Sequence, residues 1–112
     1  MTLKEVAERL GLEVLTSKSI DEIEVTGGYT CDLLSNVMAG GQAGHLWITL
    51  QMHQNTLAVA RLKELAGIVV VNGRRPDSDT IRKADEENIV VLGTDESAFN
   101  VSGRLYRLLE EP

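Results

Sequence analysis

The sequence predicts an α/β fold, a single layered domain with a mostly parallel sheet flanked by helices. Short apolar runs at Leu46–Leu50, Ile68–Val71 and Ile89–Leu92 open into the turns Gln51–Asn55, Asn72–Pro76 and Gly93–Asp95. A helical pattern follows each turn, and repeated strand, turn and helix is the signature of βα units on a parallel sheet. The Ile68 and Ile89 runs lack polar alternation, as strands covered by helices on both faces do. The length, 112 residues, suits one domain with its own core.

The elements follow in order. Thr2 to Leu10 reads as an amphipathic helix, with Leu3, Val6 and Leu10 on one stripe, a Thr2–Glu5 capping box and Gly11 placed to end it. Leu12–Leu15 and Ile23–Thr26 are short strand candidates, and Gly27-Gly28 breaks the pattern. Asp32–Met38 is a short helix, and the glycine-rich stretch Gly40–Gly44 turns the chain into the Leu46 strand. A helix from about Asn55 to Ala66 carries Ala58, Leu62, Leu65 and Ala66 on its buried side, and Gly67 stops it. Pro76-Asp77-Ser78 starts the next helix, which runs to about Asn88 with Ile81 and Ala84 inward. Thr94 or Asp95 caps the last, whose stripe is Ala98, Val101, Leu105 and Leu108.

Composition removes several function classes. A net charge of −6 argues against a nucleic-acid partner, because phosphate binding draws on clustered Lys and Arg. Leu3–Leu12 looks like the first helix of a helix-turn-helix, but strand and turn residues follow at Val14–Ser17 where a recognition helix is needed. No segment is apolar enough to span a membrane, and the N-terminus lacks a signal core, so the expectation is a cytoplasmic protein. Cys31 is the only cysteine, which excludes an intramolecular disulfide and a multi-cysteine zinc site. His45 and His53 lack metal-ligand spacing, and neither a metal nor a cofactor is expected.

The segments His45–Gln51, Leu65–Gly73 and Ile89–Phe99 together give Gly44–Leu109 a resemblance to the DRTGG domain. The first half is similar, more distantly, to the N-terminal domains of Mur ligases and of HPr kinase. There a helix ending at Leu10-Gly11 leads to a short strand, Val25–Asp32 resembles a Mur-type turn of glycine, variable, Ser/Thr, variable, Asp, and Ala43–Leu50 resembles the strand after it. In Mur enzymes this region holds a uridine nucleotide, so the resemblance nominates Gly28, Thr30 and Asp32. The Ser-Arg that follows the aspartate in that family is Leu33-Leu34 here. DRTGG domains occur as accessory modules beside pyrophosphatase, acetyltransferase or kinase-like partners. The resemblance therefore implies a regulatory α/β module, often dimeric, without an established catalytic residue.

Ligands of such sheets sit at the carboxyl ends of the strands. The candidate ligand residues there are Gly28, Thr30 and Asp32, then Gln51, His53 and Asn55, then Asn72, Gly73, Arg74 and Arg75, and finally Thr94 and Asp95. Gly73 suits a positive φ, and Arg74 and Arg75 suit a phosphate or carboxylate; a solvated, capped turn is the competing reading. No Walker Lys-Ser/Thr follows, which excludes a P-loop. Thr94 and Asp95 also read as ordinary cap residues, His53 as a surface turn histidine, Cys31 as a partly buried structural thiol, and Trp47 as core or dimer interface. The expected function is a non-catalytic regulatory module that forms a homodimer and binds a small anionic ligand or nucleotide at the strand ends. The alternative is a protein-docking subunit of a metabolic enzyme or kinase system. An enzyme using His53 with Asp32 or Asp95 ranks last, since it needs these groups in one pocket.

Overall fold

A computed structural model describes residues 1–111. Its elements are α1 (Leu3–Leu10), β1 (Glu13–Val14), β2 (Gly27–Thr30), α2 (Leu34–Gly40), β3 (His45–Thr49), α3 (Asn55–Leu62), β4 (Gly67–Val70), α4 (Ser78–Glu86), β5 (Val91–Gly93) and α5 (Ala98–Glu110). The five strands form one sheet in the order β1-β5-β4-β3-β2. Four run parallel, and β1 joins β5 antiparallel.

Strand alternation divides the core into two layers. Leu46, Ile48, Val69, Val71, Val90 and Leu92 pack with the apolar faces of α1 and α5. Trp47, Ile68, Val70 and Val91 pack with Val37 of α2, Leu57 and Ala60 of α3 and Ala84 of α4. The central strands are thus buried on both faces, as their unbroken apolar runs predict. Trp47 is fully buried, and its indole N–H donates to the Cys31 carbonyl at 2.8 Å. It belongs to the core, and Cys31 is partly buried beside it.

The local signals hold at three helix ends. Thr2 and Glu5 form the capping box of α1, and Gly11 ends it at φ 67°. Asp77 caps α4 by accepting from Thr80 N at 2.8 Å.

Other expectations require correction. Ile23–Thr26 forms only the bridge between Glu24 and Thr2, and the strand lies at Gly27–Thr30, where a break is predicted. The glycines serve packing there: a Cβ at Gly28 would lie 2.9 Å from Leu105 Cδ2 of α5. Helix α3 ends at Leu62, Glu64 turns the chain with φ 54°, and Gly67 starts β4 instead of stopping a helix. Its buried residues are Thr56, Leu57, Val59 and Ala60, while Ala58 and Leu62 are exposed. Counting Leu65 and Ala66 as helical rotates the expected stripe onto the solvent face. The cap of α5 is Ser97, which accepts from Asn100 N at 3.1 Å, and not Thr94 or Asp95. Thr94 instead accepts from Glu96 N at 3.2 Å, in a turn that delays the helix.

Candidate functional site

Parallel strands bring the predicted residues to one end of the sheet, where they separate into clusters. At the ends of β2 and β3, Asp32 Oδ1 accepts from Thr49 Oγ1 and Leu50 N, both at 2.8 Å. Gln51 Nε2 donates to the Asp32 carbonyl at 2.9 Å. Asp32 and Gln51 thus join two strand ends to each other.

At the ends of β4 and β5, Asn72 and Gly73 take positive φ values of 60° and 71°. Their N–H groups donate to the carbonyls of Glu96 and Thr94, each at 2.9 Å. Arg75 lies across Gly93, where a Cβ would come within 2.6 Å of its Nε. Its guanidinium meets Glu13 at 3.1 Å and Asp95 at 3.6 Å, and donates to the Arg74 carbonyl at 2.8 Å. Arg75 therefore ties β1 to the β4–β5 turns. Arg74 is exposed and forms no ion pair among the described residues.

His53 and Asn55 stand at the start of α3, where His53 Nδ1 accepts from Asn55 N at 3.1 Å. Nearby, Asp77 is held below the ordinary aspartate range, chiefly by its hydrogen bonds from Thr80, with smaller help from Asp79 N–H and the charge of His53. Among the described residues His53, Asp32 and Asp95 make no hydrogen bond to one another. Gly28 and Thr30 belong to β2 itself, and Thr30 Oγ1 lies 2.6 Å from Ser102 Oγ of α5.

A groove of about 420 Å³ runs along β2 and α5, and of the sequence-predicted residues only Gly28 and Thr30 line it. Gly27, Gly28, Thr30, Leu105, Tyr106 and Leu109 are among its lining, and no Lys or Arg is. Its available signal is Tyr106, an aromatic residue beside the α5 stripe that is 71% exposed. Phe99, on the same helix, is 85% exposed.

No family model matches the chain, and no curated protein does. A solved structure is similar, that of the CBS and DRTGG domains of the regulatory region of Clostridium perfringens pyrophosphatase complexed with the activator diadenosine tetraphosphate. The identity is 16% and the TM-score 0.75, over 93% of this chain and 45% of that one. The chain thus spans less than half of the structure it matches. The likeness supports a DRTGG-like fold, and at this identity it carries the fold alone. The likeness to Mur ligases gains no support from these comparisons. Among the described residues no helix is long and apolar enough to cross a membrane.

Proposed function

We propose that this chain is a non-catalytic regulatory module that self-associates and takes a small anionic ligand or nucleotide at the carboxyl edge of its sheet. The observation that carries this reading is the superposition of nearly the whole chain on part of an enzyme's regulatory region that was solved with a nucleotide activator. Asp32 fits a non-catalytic role, since its carboxylate is engaged by Thr49 Oγ1 and Leu50 N rather than by His53. Arg74 supplies the charge for an anion, exposed next to the Asn72–Gly73 turn. Arg75, Asn72 and Thr94 fix that turn.

Thermal unfolding with added nucleotides, inorganic phosphate and small carboxylates tests the reading, because a ligand of the native state raises Tm with concentration. The expected result is a rise with at least one of these, lost in Arg74→Ala. A rise that survives Arg74→Ala moves the ligand away from this turn. Unchanged Tm with every compound favours docking onto an enzyme, for which exposed Phe99, Leu62 and Leu33 offer the apolar contacts.

A further inference from the structure

The hydrogen bonds of the sheet determine which backbone groups of β2 remain free. Ile68 N donates to Val90 O at 2.9 Å, so Ile68 faces β5 and its neighbours Gly67, Val69 and Val71 face β3. Val71 N donates to Thr49 O at 3.1 Å, which turns Thr49, Trp47 and His45 toward β4 and leaves Leu46 and Ile48 facing β2. Cys31 N donates to Ile48 O at 3.2 Å, so Cys31, Tyr29 and Gly27 face β3. The N–H and C=O of Gly28 and Thr30 therefore point away from the sheet. Both residues are exposed, and among the described residues neither backbone bonds to any loop.

An open strand edge is a template for another strand, and proteins guard such edges with charge, proline or a bulge. Two of these guards are missing here: Thr26 to Cys31 carries no charged residue and no proline. The groove beside the edge is lined in part by Tyr106 and Leu109 of α5, and it leaves space next to the strand.

We infer that β2 is the self-association surface, and that it pairs antiparallel with β2 of a second copy about a two-fold axis at Tyr29. This rests on the self-associating reading above. The register follows from the free groups. Only an axis at Tyr29 sets Gly28 of each copy opposite Thr30 of the other, so that all the outward N–H and C=O groups of these residues are bonded at once. The two Tyr29 residues then form the central, non-hydrogen-bonded pair, an arrangement that favours cross-strand aromatic contact. A second copy is the occupant that the free groups fit, since the outward Gly28 and Thr30 of one copy match Thr30 and Gly28 of the other. Thr26–Cys31 carries no charge, so the strand meeting itself brings no like charges together, and the acidic residue beside it in the groove is Glu110. The result is one continuous sheet across the dimer with an isologous interface.

The test combines sedimentation of the full chain over a range of concentrations with amide exchange of the wild type. The wild type is expected to dimerise, with exchange at Gly28 and Thr30 slowing as dimer forms. Thr30→Pro removes one outward N–H and leaves the bonds to β3 in place, and it is expected to weaken dimerisation about tenfold or more. Thr30→Lys, which places charge on the edge without changing the backbone, is expected to weaken it as well. A wild-type dimer whose Gly28 and Thr30 amides exchange at the monomer rate overturns this interface and leaves self-association standing. A wild type that stays monomeric at every concentration overturns both.

Discussion

The two edges of the sheet are handled in opposite ways. The β1 edge is only two residues long and carries a charge. Glu13 is held by Arg75, and the chain beyond β1 is tied down in succession: Leu15 N to Val91 O at 2.9 Å, Val91 N to Thr16 Oγ1 at 3.1 Å, Ser17 N to Asp85 at 2.7 Å and Lys18 to the Asn88 carbonyl at 3.3 Å. The β2 edge is longer, uncharged and rich in glycine, and its outward groups meet no other part of the described chain. Charge stands at the β1 edge, on Glu13, and is missing along β2. The difference assigns the edges different roles: β1 terminates the sheet, and β2 is where the sheet can continue.

The largest expected effect tests what holds the open edge in place. Trp47→Ala empties a fully buried site and removes the bond to the Cys31 carbonyl, which anchors the chain just beyond β2. Denaturant unfolding is expected to show a loss of about 3–5 kcal/mol. Amide exchange is expected to rise more at β2 than at β1, and an equal rise at both edges removes Trp47 as the anchor of β2.

Asp32→Ala takes away the acceptor shared by Thr49 Oγ1 and Leu50 N and loosens the same end of β2 more mildly, by about 1–2 kcal/mol in the same experiment. A change near zero places Asp32 outside the structure of the edge and frees it for ligand.

At the β1 edge the effects are smallest. Glu13→Ala breaks a part-exposed ion pair and is expected to cost less than about 1 kcal/mol. The difference from wild type should shrink as salt is raised. Its sedimentation is expected to match the wild type, whereas any gain in self-association shows that Glu13 guards this edge against pairing.

Much of the fold was legible because it is written in local pattern. The β3 and β4 runs, the Thr2–Glu5 box, the helix start at Pro76-Asp77-Ser78 and the α5 stripe each depend on residues within a turn or two of one another. The β2 strand was illegible for the opposite reason. Gly27-Gly28 reads as a breaker locally, and only the approach of Leu105, distant in sequence, makes glycine the residue that fits. The candidate site divides along the same line. The turns at Asn72–Gly73 and Gln51 were found from their polar and glycine content, but their partners were not. Arg75 reads as a free cation until the antiparallel return of β1 brings Glu13 to it across 62 residues. Strand order decides which edge is open, and no local pattern encodes it.

The most direct test of the open edge is an isotope-filtered nuclear Overhauser experiment on a dimer mixed from labelled and unlabelled copies. A non-hydrogen-bonded antiparallel pair holds its Cα atoms only about 4.5 Å apart, which brings their α protons into close contact. The account predicts a strong signal between the Tyr29 α protons of the two copies. A sample that sediments as dimer but gives no signal between copies anywhere from Thr26 to Cys31 contradicts it.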